Sequence, residues 1–294
     1  MTIRHLKIFT MVADKGGMSK AARELHISQP SISQAISELE KYYNVKLFER
    51  LSQKLYLTKE GELLLSFSRH ILDSFDQMEE TMNHAAKRRD LRIGCSVSVG
   101  TCLINDILNE AEKVIPNCQF HVTVTNSAEI EKAVLNNQVD FAIVEGNIKN
   151  ENLSVSPICE DELVIVCGCT HPLAKESVIT LEMLDGQDYV SRESGSVERN
   201  QYEKLFEEQG LHLNRTFEST NTEAIKNAVI CGRGIAVFSK RMVKKEVQSG
   251  EMRILTLKDQ KVKRDFDFII HKNKYCSDEI KKMKDLLCTG NFSE

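Results

Sequence analysis

The sequence predicts an α/β protein in three parts: a small all-α N-terminal module, one long helix, and a larger C-terminal α/β domain. Three observations carry this. Apolar residues recur at spacings of three and four through the first eighty positions. From Leu91 onward, short apolar runs alternate with helical stretches, the pattern of strands crossed by helices. The charge is also divided unevenly. The 294 residues carry a formal net charge of −4, but between Met1 and Glu60 ten lysines and arginines face six acids, a balance of +4 that leaves −8 on the remainder. A basic module joined to an acidic one suits a DNA reader attached to something that does not touch DNA.

Composition bounds the rest. A hydrophobic share of 41% with 28% charged residues is that of a globular chain large enough for more than one core. No stretch approaches the roughly 20 apolar residues of a membrane helix, and Met1 to Lys7 lacks the apolar run of a secretory signal, so a cytoplasmic protein without a membrane partner is expected. Nine cysteines are scattered with no C-x-x-C and no paired histidines. They are expected to be reduced and mostly buried, with no metal and no cofactor. Cys167 and Cys169, on one face of an apolar run, are the closest pair.

Ile3, Leu6, Phe9, Val12 and Ala13 predict a first amphipathic helix, stopped by Gly16-Gly17. A second is expected to begin at Ser19 as N-cap, with Ala21, Ala22 and Leu25 forming a tight apolar face before His26-Ile27 turns the chain. The third opens at Ser28-Gln29-Pro30, where Ser28 caps and Pro30 suits the first turn, and buries Ile32, Ile36 and Leu39. Its other face carries Ser31, Ser33, Gln34 and Ser37. Short polar side chains at the start of the second helix of a helix-turn-helix let that helix enter a major groove. Gln29 and Gln34 suit base edges, while Ser31, Ser33 and the helix-end N–H groups suit phosphates. Taken alone, such a face is more often simply solvated. The next residues change that weighting. Leu47 to Arg50 and Leu55 to Leu57 read as two short strands around a polar tip of Ser52, Gln53 and Lys54, a wing. Arg50 and Lys54 are its expected phosphate contacts, acting at all sequences and through the salt dependence.

The run Ala21-Ala22, Leu25, Ser28-Gln29-Pro30-Ser31-Ile32-Ser33, Ile36, Leu39-Glu40, Leu47-Phe48, Arg50, Leu57-Thr58 and Gly61 closely resembles the DNA-binding domain of LysR-type transcriptional regulators. The resemblance implies a winged helix-turn-helix with Ser28, Gln29, Pro30, Ser31, Ser33, Gln34, Arg50 and Lys54 at the DNA. Two positions depart from the family pattern. Asn44 stands where glycine is usual after the third helix, and asparagine is the next-best residue for a left-handed stop. Gln53 replaces a frequent arginine in the wing and removes one phosphate charge.

Thr58 can cap a long helix whose first turn holds Glu60 and Glu62, both favourable at the positive end of the helix dipole. Leu64, Phe67, Ile71, Phe75, Met78 and Met82 then form a stripe along roughly 25 residues, about 37 Å. A stripe that long suggests pairing between chains; packing on its own domain is the alternative. The resemblance favours the homodimer and extends it to a homotetramer. It also implies an inverted-repeat operator in double-stranded DNA, contact with RNA polymerase, and an inducer that alters the angle between DNA-binding pairs. Lys87-Arg88-Arg89-Asp90 is the expected hinge.

Further on, strands are predicted at Leu91 to Cys95, Phe120 to Val124, Phe141 to Val144, Leu163 to Cys167, Tyr189 to Ser191, Ile235 to Phe238 and Phe266 to His271. Helices are predicted at Cys102 to Val114, Ile130 to Asn136, Val197 to Gln209, Glu223 to Cys231 and Lys240 to Val247. Two crossing segments, near Leu163 to Val166 and Phe266 to Ile270, would join two similar Rossmann-like subdomains. The expected boundaries are 1–58 for the winged module, 59–89 for the linker helix and hinge, and 90–294 for the effector domain. Within it, 90–162 and 266–294 form one subdomain and 163–265 the other. Ligands in such folds bind at strand carboxyl ends and helix N-termini. Three places qualify: Ser96 to Thr101, Arg192 to Ser196, and Thr220 to Thr222. Each alone is more often an ordinary cap; converging on one cleft they would bind an anion.

Leu91 to Gly94, Asp140 to Gly146, Asp161 to Leu163, His171 to Ala174, Thr222 to Lys226 and Gly232 to Ala236 resemble the LysR-type effector domain, which implies a small-molecule effector between the subdomains. The candidate contacts are Ser96, Ser98, Thr101, Glu145, Ser194, Ser196 and Asn221. Glu198, near the cleft, counts against an anionic effector. No G-x-S-x-G, H-E-x-x-H or P-loop is present, and Gly232-Arg233-Gly234 precedes a strand instead of following one, so no catalytic residues are expected. A solute-binding protein would leave the first ninety residues unexplained. A regulator of the same fold that binds DNA without a ligand remains the open alternative.

Overall fold

In a computed structural model of the chain, residues 1–51, 54–82, 89–146, 148–258, 261–290 and 292 are described. The wing tip at Ser52 and Gln53, and Lys87 and Arg88 of the expected hinge, lie outside them. The chain folds as two compact units. The first holds the N-terminal residues together with Leu135–Gln138 and His271–Tyr275, and the second holds the rest from Arg89.

The first unit starts with α1 (Ile3–Lys15), whose cap Thr2 accepts from the His5 N–H and whose last turn ends at Gly16 in the left-handed region, φ 64°. α2 (Met18–Glu24) begins one residue before the expected Ser19 cap. Gly17 is already extended there, so the helix starts without a side-chain cap and Ser19 sits in its first turn. α3 (Gln29–Tyr43) is capped by Ser28 and stopped by Asn44 at φ 53°, the left-handed stop expected of asparagine. The three helices close on Phe9, Val12, Ala21, Ile32, Ile36 and Leu39, all buried. Each large apolar side chain among them contributes roughly 1.5–3 kcal/mol.

β1 (Phe48–Leu51) and β2 (Lys54–Leu57) pair antiparallel, and their partly buried Phe48, Leu55 and Leu57 pack on the same core. α4 (Lys59–Met82) follows at once. Thr58 fixes the junction: its hydroxyl donates to the Lys46 carbonyl at 2.6 Å and accepts from the Gly61 N–H at 3.0 Å. Leu64 and Leu65 join the core of the helical module, so Leu64 does not belong to the outward stripe. Leu63 takes its place, and Leu63, Phe67, Ile71, Met78 and Met82 lie exposed. Phe75 is partly buried, with the Lys7 ammonium 5.5 Å from its ring centroid.

The second unit is built on a seven-stranded sheet of β3 (Arg89–Cys95), β4 (Cys118–Val124), β5 (Phe141–Glu145), β6 (Leu153–Gly168), β9 (Ala236–Ser239), β10 (Met252–Leu255) and β11 (Val262–His271). Its order is β10-β6-β11-β5-β3-β4, with β9 also on β6. β3 runs parallel to β4 and β5, whereas β11 is antiparallel to β5, and β9 and β10 are antiparallel to β6. β7 (Asp188–Arg192) and β8 (Asn214–Ser219) form a separate parallel pair.

Three apolar clusters lie among the described residues of this unit. One gathers Leu91, Ile93, Phe141, Phe266 and Phe268 under α6 (Ile104–Val114) and α11 (Asp278–Thr289); a second gathers Leu163, Ile165, Tyr189 and Val237 under α8 (Val197–Glu208), through Tyr202 and Phe206; a third, on the alternate residues Val164, Val166 and Phe238, takes Ile225 and Val229. β6 and β11 supply residues to the first two, β6 through Ile158 and Cys159 and then Leu163 and Ile165, β11 through Phe266 and Phe268 and then Val262.

Several elements differ from the sequence reading. β6 runs 16 residues instead of five. The helix expected over Cys102 to Val114 is two, α5 (Val97–Cys102) and α6, broken where Leu103 leaves helical φ/ψ. α7 (Ser127–Leu135) and α9 (Thr222–Ile230) fall where predicted, but Lys240 to Val247 divides into a 3₁₀ turn and α10 (Lys244–Ser249). β8, β10 and α11 were not predicted, although α11 had a signal in its Ser277 cap, the acids Asp278 and Glu279 in its first turn, and Ile280, Met283 and Leu287 at helical spacing. In β8 five of six residues are exposed, which removes the alternation that marks a strand.

Candidate functional site

Two sites can be built from these elements. On the first unit, Gln29, Pro30, Ser31, Ser33 and Gln34 are all exposed on one end of α3, while Ile32 and Ile36 anchor the other face. Ser28 is used twice within the chain: its Oγ accepts the Ser31 N–H and lies 2.8 Å from the Ser31 Oγ. Gln34 donates its amide to Glu38 at 2.9 Å, and His5 holds the other Glu38 oxygen at 2.8 Å. Those two contacts, His5 first, also hold the Glu38 carboxyl below its usual pKa. Gln34 is therefore oriented, whereas the side chains of Gln29 and Ser33 are open to a groove. The wing cations are arranged less simply. Arg50 pairs with Leu55 and Lys54 with Leu51, so the two side chains leave opposite faces of the ribbon. Both are exposed, but one row of phosphates cannot take both in the same way.

The second site lies at the carboxyl end of β3. Ser96 caps α5, accepting the Val99 N–H, and Ser98 follows in the first turn; both are buried. Ser98 meets a group that the sequence reading did not assemble. Its Oγ donates to Glu198 Oε1 at 2.7 Å and accepts from Arg264 Nη2 at 3.0 Å. Ser196 donates to the other Glu198 oxygen at 3.1 Å. Arg264 donates from Nε to Asp161 at 2.7 Å, and Ser239 donates to the other oxygen of Asp161 at 2.7 Å. Glu145 stands 3.6 Å from Arg264 Nη1. Arg264, Glu145, Asp161 and Glu198 are all buried, exposed by 5% or less. One guanidinium therefore faces three carboxylates in a medium that does not screen them. Burial, opposed by Arg264 and reinforced by Glu198, pushes the Glu145 carboxyl above its ordinary pKa. Among the described residues, Glu145 Oε2 and Arg264 Nη1 have no hydrogen-bond partner.

Of the seven expected effector contacts, Ser96, Ser98, Glu145 and Ser196 gather here. The other three do not. Thr101 is exposed and donates back to the Val97 carbonyl of its own helix. Ser194 is exposed, and Asn221 caps α9 by accepting from the Glu223 and Ala224 N–H groups. These are the ordinary uses of serine, threonine and asparagine near helices. The sequence reading missed Arg264 and Asp161. Arg264 had a signal: it shares strand parity with the inward Phe266 and Phe268, where an arginine must find partners. Beside the cluster, Arg192 pairs with Glu193 at 2.8 Å and donates weakly to Thr222 at 3.4 Å. The five cysteines Cys95, Cys102, Cys118, Cys159 and Cys167 have thiol pKa values raised by burial, so they remain thiols.

Comparison with known proteins gives one consistent result. Residues 3–62 match the model for the bacterial regulatory helix-turn-helix protein of the lysR family, and residues 84–289 match the LysR substrate binding domain. The HTH-type transcriptional activator CmpR of Synechocystis is 30% identical over 94% of this chain and 91% of its own length. The HTH-type transcriptional regulator CysL of Bacillus subtilis is 29% identical over 90% and 89%. Among solved structures, a full-length OxyR variant from Pseudomonas aeruginosa covers 98% of this chain and 94% of its own, with a TM-score of 0.74 at 18% identity. The Synechocystis CcmR regulatory domain in complex with 2-PG covers 68% of this chain and 96% of its own, with a TM-score of 0.64 at 27% identity.

Proposed function

This chain belongs to the LysR family of bacterial transcriptional regulators, and from that premise we propose that α3 reads its operator while the buried cluster around Ser98 is where a small molecule acts. The observation that carries the DNA reading is the exposed end of α3. Gln29, Ser31, Ser33 and Gln34 surround a capped helix N-terminus, with no bulky charged side chain among them to hold the helix off a groove. Gln29 and Gln34 take base edges, Ser31 and Ser33 take phosphates, and Arg50 and Lys54 extend the backbone contact from opposite faces of the wing.

The exposed row Leu63, Phe67, Ile71, Met78 and Met82 on α4 supports pairing with a second copy. A two-fold homodimer places two reader helices on an inverted repeat, and dimers of dimers give the homotetramer through which an effector changes DNA geometry and contact with RNA polymerase. The functional division is 1–58 for reading, 59–89 for pairing and 90–294 for sensing, in the cytoplasm and without catalytic turnover.

The test is binding of the purified chain to its own upstream intergenic DNA by fluorescence anisotropy at two salt concentrations, with Gln29→Ala and Ser33→Ala beside it. Gln29→Ala is expected to lose about 1–3 kcal/mol and to relax discrimination at one base pair. Ser33→Ala is expected to weaken all sequences alike. Equal affinity of the wild type for operator and random DNA would overturn the assignment of α3.

A further inference from the structure

The buried cluster holds an anion already, and that anion is part of the chain. Glu198 lies in the first turn of α8, on the core formed by Tyr202 and Phe206, while Ser98 lies in the first turn of α5, on the core formed by Val99 and Ile104. The Glu198 carboxylate crosses from one core to the other. Its two oxygens take the Ser98 hydroxyl at 2.7 Å, the Ser196 hydroxyl at 3.1 Å and Arg264 Nη2 at 3.4 Å. Two hydroxyls and a guanidinium converging from α5, β11 and the start of α8 make an anion-binding arrangement, and one carboxylate fills it.

The surrounding packing agrees with an occupied, closed site. A Cβ on Gly146, at the end of β5, would stand 3.1 Å from Val197 Cγ2, and one on Gly195 would stand 3.6 Å from Asn126 Oδ1. Gly195 and Val197 thus lie directly against Asn126 and Gly146, which follow β4 and β5. Charge argues the same way. Arg264 is the one cation within hydrogen-bond or ion-pair reach of Glu145, Asp161 and Glu198 among the described residues, so a second anion would enter beside three carboxylates.

We propose that Glu198 is a built-in ligand of the effector site, its carboxylate holding the two cores together in the place a free small carboxylate would occupy. This rests on the reading of that cluster as the effector site. The wild-type cluster is then filled without any free anion, small carboxylates bind it only once Glu198 is removed, and the small molecule that acts there in the wild type is not itself a small carboxylate.

The experiment uses the full chain with Glu198→Ala and Glu198→Ser, which vacate the carboxylate volume, and Glu198→Gln, which keeps it filled. Melting temperature is followed in sodium acetate against sodium chloride at equal ionic strength, with operator binding measured in parallel. The vacated variants are expected to melt below the wild type in chloride and to show a saturable rise of about 2–4 °C in acetate, absent from the wild type and from Glu198→Gln. A folded vacated variant with no acetate response, or an equal response in the wild type, would overturn the proposal. So would failure of both vacated variants to fold even when purified in acetate. Failure of the wild type to bind its operator would count against the regulator reading of α3 and would leave the acetate result standing.

Discussion

At the scale of single residues, the junction between wing and long helix depends on one absent side chain. A Cβ on Gly61 would lie 2.2 Å from the Leu47 carbonyl oxygen and 2.9 Å from Leu57 Cδ2, and the first of these is backbone that cannot swing away. Gly61→Ala is therefore expected to destabilise the N-terminal module by at least ~2 kcal/mol, read as a lower urea midpoint and as lost operator affinity. An unchanged midpoint would mean that the start of α4 can slide. Other residues at this scale were legible from chemistry alone. Ser28 caps because its hydroxyl reaches an orphan N–H, and Asn44 ends α3 because asparagine tolerates positive φ. Thr101 and Asn221 were read by the same logic and went the other way, because a hydroxyl or amide beside a helix end is satisfied locally as readily as by a ligand.

At the scale of elements, α4 makes the clearest commitment. Its 24 residues span about 36 Å, and its outward row of Leu63, Phe67 and Ile71 at spacings of four leaves a continuous apolar strip uncovered. Phe67→Glu with Ile71→Glu is expected to convert a wild-type dimer or larger species to a monomer in sedimentation velocity, while far-UV circular dichroism stays the same. A monomeric wild type would remove the pairing role from this helix. The period of the stripe was readable in the sequence, but its rotation was not. Leu63 and Leu64 are adjacent leucines of equal hydrophobicity, and only the position of the core chooses Leu64 to go inward. β8 was hidden for a different reason: local pattern marks a half-buried element, and β8 is almost wholly exposed, whereas α11, with Ile280, Met283 and Leu287 at helical spacing behind Ser277, was legible.

At the scale of the whole molecule, stability is tied to pH through a buried histidine pair. His70 of α4 stacks on His271 at the end of β11 with ring centroids 3.9 Å apart, and both belong to the first unit. Burial lowers the pKa of His70, with the nearby Lys274 adding to it; burial and then His70 lower that of His271 to about 4. His271 is held neutral by the Asn273 N–H that its Nδ1 accepts, and His70 by burial, which outweighs the hydrogen bond its Nε2–H donates to the Leu135 carbonyl. Unfolded histidines take up protons near the ordinary value of 6.5, the folded pair only further down. The unfolded state therefore binds more protons in that window, so the contribution is complete above about pH 6.5 and is lost as the pH falls toward 4. The urea midpoint should drop between about pH 7 and pH 5, and His271→Gln should flatten the drop; a flat wild-type profile would refute it. The basic-to-acidic division of the chain, the strand-and-helix alternation and the capped helix α3 were set by sequence, because helix period, caps and charge act over neighbouring residues. Tertiary structure alone decided the rest. It brought Arg264, Asp161 and Glu198 together across 103 and 66 positions of chain. No local pattern records that meeting, because a buried charge is stabilised by whichever partner the fold delivers, and the partner's distance along the chain leaves no mark on either residue.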